Sequence, residues 1–191
     1  MTTPPHTPEQ RLELLSIARR AIRERVCGRS DSCPAPADPA LRTPGAVFVT
    51  LTRAGALRGC IGFVHAIRPL AEAIAHCAAS AATGDPRFPP VTARELPEIR
   101  IEISVLSPLR PAADPADIRV GVHGLHISKD NRHGLLLPQV ATEFGWDRET
   151  FLRQVCAKAG LPQDAWRRGA DLQVFTVERI QDDRPLGTED P

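Results

Sequence analysis

No apolar run in this chain approaches the ~20 residues needed to span a bilayer, so a membrane-spanning helix is not expected. The opening residues, Met1 to Thr7, have no apolar stretch of the kind that marks a secretory signal. Charge of either sign is not in excess: 24 Lys and Arg against 23 Asp and Glu leave a formal +1. That balance removes the long-range field expected of a nucleic-acid or anionic-lipid binder. Lysine is scarce, with Lys129 and Lys158 the sole occurrences, so nearly every basic residue is arginine. Arginine suits bidentate pairing with carboxylates, and many of these side chains read as members of structural ion pairs.

Signature loops are also missing. There is no Gly-x-Gly-x-x-Gly, no Walker loop and no Gly-x-Ser-x-Gly, which excludes the common nucleotide and hydrolase signatures and leaves the cofactor unassigned. The five cysteines (Cys27, Cys33, Cys60, Cys77, Cys156) are odd in number and irregularly spaced, without a Cys-x-x-Cys. Together with the missing signal, this points to reduced thiols in a cytoplasmic protein. Cys60 with His65, His76 with Cys77, and His123 with His126 lack metal-ligand spacing, so no tightly held metal is expected.

What is present fits one globular domain: 191 residues, 42% hydrophobic and 25% charged. Thr7-Pro8-Glu9-Gln10 gives a capping box with proline at N1, and Leu15, Ala18, Ile22 and Val26 follow at helical spacing to a stop at Gly28. From residue 30 to residue 44 the prolines Pro34, Pro36, Pro39 and Pro44 suggest a linker. Ala46 to Arg53 reads as a strand, Ala54-Gly55 as a turn, and Leu57 to Gly62 as the returning strand of a hairpin. Pro69 to Ala82 forms an alanine-rich helix, and the prolines between Asp85 and Pro90 forbid regular structure. Ile99, Ile101, Ile103 and Val105 alternate with Arg100, Glu102 and Ser104 as a strand. A second hairpin turns through Asp130-Asn131, Asp147 caps a helix ending at Gly160, and Leu172 to Ile180 alternates as one last strand. No internal repeat is visible. The tails, residues 1–7 and 181–191, are expected to fray. Hairpins with interspersed helices argue an α+β fold with a mainly antiparallel sheet.

The chemistry concentrates at Leu57-Arg58-Gly59-Cys60-Ile61-Gly62. On a regular strand Arg58 and Cys60 share a face, about 7 Å apart. A guanidinium beside a thiol favours the thiolate, the form that acts as nucleophile or soft ligand. Gly59 and Gly62 leave backbone uncovered, so a ligand or another piece of chain can come close. A half-buried cysteine beside two bulge glycines is the plain alternative. Asp85 and Arg87 lie in the proline-restricted loop, where Arg87 can bind a carboxylate or phosphate and Asp85 can orient it; a clip that only holds the loop fits equally. Glu102, on the polar side of its strand, is either a base in a cleft or a solvated residue. Cys27, Cys77 and Cys156 lie on expected helices, where packing is their natural role, and Cys33 lies in the linker.

Several stretches together resemble one family. They are Phe48-Val49-Thr50-Leu51, the Leu57–Gly62 segment, Asp85-Pro86-Arg87-Phe88-Pro89-Pro90, Glu102 to Ser107, Gly134 to Val140, Gly145-Trp146-Asp147 and Lys158 to Pro162. In this order they look like an AMMECR-type domain, of the kind that forms component A of the AmmeMemoRadiSam system, spanning residues 8–180. The resemblance implies an α+β molecule of two unequal lobes, with an antiparallel sheet and flanking helices in the larger and the smaller inserted from the middle of the chain. It implies a cleft site at Leu57–Gly62, with Asp85, Arg87, Glu102 and Gln139 as further matched polar positions. Its implied partners are a Memo-like protein and a radical-SAM protein. Two functions are then in contention. In the first, Cys60 is a nucleophile or thiolate ligand, Arg58 stabilises it, Glu102 or Asp85 moves protons, and Gly59, Gly62, Asp85, Arg87 and Gln139 receive an anionic substrate. In the second, the same cleft is a recognition pocket without turnover. A purely structural scaffold accounts for the fold but not for the polar cluster.

Overall fold

The computed structural model describes residues 6–28, 36–182, 184 and 186. The regular elements run α1 (Pro8–Cys27), β1 (Ala46–Arg53), β2 (Ala56–Phe63), α2 (Leu70–Thr83), β3 (Ile99–Leu106), β4 (Arg110–Pro111), β5 (Gly124–Lys129), β6 (Arg132–Leu136), α3 (Pro138–Glu143), α4 (Arg148–Lys158), β7 (Asp171–Phe175) and β8 (Val177–Asp182). They form an α+β fold with two four-stranded sheets, ordered β2-β1-β3-β8 and β4-β7-β5-β6. Among the described residues no helix is long and apolar enough to cross a membrane.

The chain divides into two compact units, one of Pro4–Val105 with Glu178–Pro191 and one containing Leu106–Val177. In the first, α1 begins on the expected capping box: Thr7 Oγ1 accepts from the Gln10 N–H at 3.3 Å, and Gln10 Oε1 accepts from the Thr7 N–H at 2.9 Å. The helix ends at Gly28, whose φ of +66° is open to glycine at no steric cost. Leu14, Ala18 and Ile22 of α1 and Ile74, Cys77 and Ala78 of α2 are fully buried. They share one core with Val47, Val49 and Leu51 of β1, Ile99, Ile101 and Ile103 of β3, and Ile180 of β8. Both helices therefore cover the same face of the sheet. Strand alternation then puts Thr50, Glu102, Ser104 and Gln181 on the other face.

Within the Leu106–Val177 unit the pairs β4–β7, β5–β7 and β5–β6 are all antiparallel. Asp147 caps α4 by accepting the Thr150 N–H at 2.8 Å. Phe151, Leu152, Val155 and Cys156 of that helix pack with Leu125, Ile127, Leu172 and Val174 in a core of their own.

One expectation is corrected. The alternating run from Leu172 to Ile180 is two strands, β7 and β8, in different sheets. The break falls at Thr176, whose N–H and carbonyl both bond Ser107, to the side chain and backbone at 2.9 Å each. Alternation by itself cannot signal a strand that changes sheets. Of the proline-rich stretch, residues 30–35 lie outside the described residues, but Pro39–Arg42 is a turn of 3-10 helix that buries Leu41 in the first core. One apolar residue among prolines suffices to pin such a segment. The tails are likewise anchored where described. His6 donates its backbone N–H to Glu178, and Leu186 is buried and accepts from Arg23 Nε at 2.8 Å.

The strongest anchor is ionic. Arg19 lies on the buried side of α1, 0% exposed, and its Nε pairs with Asp182 of β8, 4% exposed. Burial pushes the Asp182 carboxyl up, but the bond and charge of Arg19 and the Arg184 N–H outweigh it and leave it below its ordinary value. Deleting one partner of such a pair leaves a buried charge unmatched. Asp182→Ala is accordingly expected to lower unfolding stability by about 3–5 kcal/mol, measured by urea denaturation.

Candidate functional site

The hairpin β1–β2 closes through Ala54 and Gly55, at φ +49° and +80°, the left-handed pair that suits a two-residue turn. From that turn a regular ladder would set Leu51 opposite Arg58 and Val49 opposite Cys60, sending both polar side chains into the core. The observed register is different. Thr52 pairs with Leu57 and Leu51 with Gly59, so Arg58 is the extra residue of a β-bulge. Beyond it Cys60 pairs with Thr50, on the face turned away from the core.

The bulge directs Arg58 to partners other than the thiol. Arg58 Nε donates to Glu95 Oε1 at 2.9 Å, Nη1 to the Pro89 carbonyl at 2.8 Å and Nη2 to the Pro90 carbonyl at 3.2 Å. Its side chain is only 12% exposed. The expectation that Arg58 stands beside Cys60 as its cation is corrected: alternation does not carry across a bulge, and Glu95 holds the guanidinium instead. Glu95 also caps Thr92, accepting its N–H at 2.8 Å. The Arg58 hydrogen bond above all, with the Thr92 N–H, depresses the Glu95 carboxyl to about 2.

Both motif glycines admit parts of the protein itself. A Cβ on Gly59 would stand 2.1 Å from the Ala81 carbonyl oxygen, so α2 rests directly on β2 there. A Cβ on Gly62 would stand 2.3 Å from the Phe48 ring. The uncovered backbone expected of these residues is occupied by a helix and an aromatic side chain.

The cation that bonds the Cys60 backbone is Arg87. Asp85, 4% exposed, accepts the Cys60 N–H on Oδ2 at 2.9 Å. The same carboxylate is gripped bidentately by Arg87, Nε to Oδ1 at 2.9 Å and Nη2 to Oδ2 at 2.7 Å. Arg87 Nη2 also reaches the Cys60 carbonyl at 3.4 Å. Arg87 holds the Asp85 carboxyl well below the usual carboxylate range, against the opposing effect of burial. Arg87 is in turn raised, first by its bond to Asp85 and last by the charge of Cys60. The Arg87 side chain stays 55% exposed, leaving one flank open to a ligand. Cys60 is half-buried, and the Thr50 hydroxyl donates to its sulfur at 3.2 Å.

Glu102 takes other partners, and Gln139 belongs to the other unit. Glu102 Oε2 accepts from Arg179 and from Gln181 Nε2, the latter at 2.9 Å. Gln139 lies on α3 in the Leu106–Val177 unit, whereas Cys60, Asp85, Arg87 and Glu102 belong to the other unit. Neither Thr50, named only within a matched stretch, nor Glu95 is among the site residues expected from the sequence. Thr50 follows from hairpin register only once the bulge is known, and Glu95 had no local signal. Of the other cysteines, Cys77 and Cys156 are buried, with burial pushing Cys77 up to about 12 and raising Cys156. Cys27, expected to pack, is exposed at the end of α1, and Cys33 lies outside the described residues. Among the described residues no three His, Cys, Asp or Glu side chains gather as a metal ligand set.

The fold and site together define a two-sheet α+β protein with a thiol-bearing, bulged hairpin locked to a proline-rich acid–arginine loop. Residues 15–180 match the AMMECR1 family model, and the chain belongs to that family. It is 50% identical over 160 residues to a protein of Methanothermobacter thermautotrophicus, covering 80% of this chain and 83% of the other. A Thermococcus gammatolerans protein is 46% identical over 187 residues, covering 91% of each. The crystal structure of an uncharacterised protein from Pyrococcus horikoshii superposes with a TM-score of 0.86 at 41% identity, covering 94% of this chain and 95% of that one.

The Arg58–Glu95 pair has a definite pH signature. A depressed carboxyl contributes stability above its unfolded value, near 4.5, and loses it as pH falls towards about 2. Glu95→Gln should therefore lower the urea midpoint at pH 7, and the gap from wild type should close between pH 4.5 and 2. A gap independent of pH would refute the ionic account.

Proposed function

We propose that this protein carries out a thiol-dependent step at Cys60 on an anionic substrate, as component A of an AmmeMemoRadiSam-type system. The reading is carried by one observation: the half-buried Cys60 sulfur accepts the Thr50 hydroxyl at 3.2 Å on the same β-strand residue whose backbone Asp85 and Arg87 grip. The Thr50 hydroxyl orients the sulfur, and Arg87 bonds the Cys60 backbone behind it. Asp85 is a positioning residue, since its oxygens are committed to Arg87 and the Cys60 N–H. The exposed flank of Arg87 receives the anionic part of the substrate. Arg58 contributes by fixing the bulge that turns Cys60 outward, and Glu102 by tying β3 to β8. Gln139, on the other unit, is retained as a recognition residue through family resemblance alone. The Memo-like and radical-SAM proteins implied by that resemblance are the proposed partners.

A second reading has its own support. Asp85 and Glu102 each pair with an arginine, Arg87 and Arg179, and Asp85 bonds the Cys60 backbone rather than its sulfur. A recognition module that presents a small molecule to those partners needs no base at the sulfur.

Residue-resolved alkylation by mass spectrometry separates the two. Cys60 is expected to react fastest of all the thiols near pH 7, ahead of the exposed Cys27. Thr50→Val and Arg87→Gln should each slow Cys60 by about three- to tenfold while leaving Cys27 unchanged. A Cys60 no faster than Cys27 would end the nucleophile reading and leave the recognition module.

A further inference from the structure

A tight turn in the Leu106–Val177 unit leaves one buried histidine proton without an acceptor among the described residues. Gly121, at φ +80°, folds the chain back so that Val122 and His123 both donate their N–H to the Arg119 carbonyl, at 3.1 and 2.9 Å. The same turn aims the Arg119 N–H at His123 Nδ1, 3.2 Å away. A backbone N–H cannot rotate out of the way, so Nδ1 must present its lone pair and the neutral ring carries its proton on Nε2. Nε2 faces Arg110 Nη2 at 3.4 Å. Guanidinium nitrogens only donate, so a donor confronts a donor. His123 is 6% exposed, and a buried donor left unpaired is unfavourable. An acceptor oxygen seated to one side of the pair, about 2.8 Å from each nitrogen, would accept from both.

These groups open on a cavity of about 190 Å³. Beside Arg110 and His123 it is walled by Ala112, Ala113, Ile118 and Val174. The volume suits a short molecule, and the apolar wall suits an alkyl body rather than a fully hydrated ion. Asp114 and Asp117 also line it and would repel a dianion more than a monoanion. Burial first, then the charges of Arg110 and Arg119, lower His123 below its ordinary value, against Asp117, which raises it. The empty ring is thus neutral near pH 7.

We propose that this cavity binds a small aliphatic carboxylate, whose oxygens accept from His123 Nε2 and the Arg110 guanidinium while its alkyl part lies against Ala112, Ala113, Ile118 and Val174. The site is independent of the Cys60 reading and belongs wholly to the other unit.

The full chain, isotopically labelled, is titrated with acetate, propionate, butyrate and inorganic phosphate at constant ionic strength set with chloride, following the His123 ring by NMR. Saturable shifts are expected for the carboxylates, tighter for butyrate than for acetate. The His123 titration should move to higher pH when the site is filled, because the bound anion favours the imidazolium. Arg110 is exposed, so Arg110→Ala should leave the backbone spectrum intact and weaken butyrate by about tenfold or more. Shifts that rise linearly with concentration, that chloride reproduces, or that persist unchanged in Arg110→Ala would overturn the site. Phosphate binding as tightly as butyrate would overturn the carboxylate assignment.

Discussion

One extra residue in β2 governs the geometry on which the rest of the larger unit relies. Without the bulge at Arg58, the hairpin ladder would aim a guanidinium at Leu51 and a thiol at Val49, both fully buried positions. An unpaired buried cation is too unfavourable to persist, so the strand shifts and the shift reverses the facing of everything after it. Arg58 then finds Glu95 and two proline carbonyls, Gly59 turns inward against the Ala81 carbonyl, and Cys60 turns outward against Thr50. The six-residue motif is thus first a folding device, and the exposure of its thiol is a consequence of that device.

The arginine-rich composition is put to the same use repeatedly. Arg19 binds Asp182 between the first helix and the last strand, Arg87 binds Asp85 beneath the thiol, and Arg179 binds Glu102 across neighbouring strands. The planar fork of arginine matches a carboxylate with two bonds, which lysine cannot do. This commitment narrows the chemistry open to the site. Asp85 and Glu102 orient and brace, and in the proposed function the chemistry falls to the Cys60 sulfur and the outer flank of Arg87. Belonging to the AMMECR1 family fixes the architecture, and the residues around Cys60 give that architecture a specific chemical question.

The Leu106–Val177 unit has its own core and its own unsettled polar group. Its helix α4 and strands β5 and β7 bury Phe151, Leu125 and Val174 together, independently of the Cys60 cluster. His123 is the exception among its buried groups, because a fixed backbone donor dictates its tautomer and leaves its outer nitrogen facing a second donor.

The sequence by itself determined the local elements, since each rests on contacts between residues close in the chain. The Thr7–Gln10 capping box, the Ala54-Gly55 turn, the Asp147 cap and the alternation of Ile99, Ile101 and Ile103 are all of this kind. It also singled out the thiol hairpin and the Asp85–Arg87 loop, and the structure bonds that loop to the Cys60 backbone. Tertiary structure alone decided which partner each charge would take. Glu95 lies 37 residues beyond Arg58, and Asp182 lies 163 beyond Arg19. It decided too that the last alternating run would divide at Thr176 between two sheets, and that a bulge would turn Cys60 outward. Periodicity records whether a side chain is apolar, but register and charge pairing depend on what distant segments bring alongside, and no local pattern contains that information.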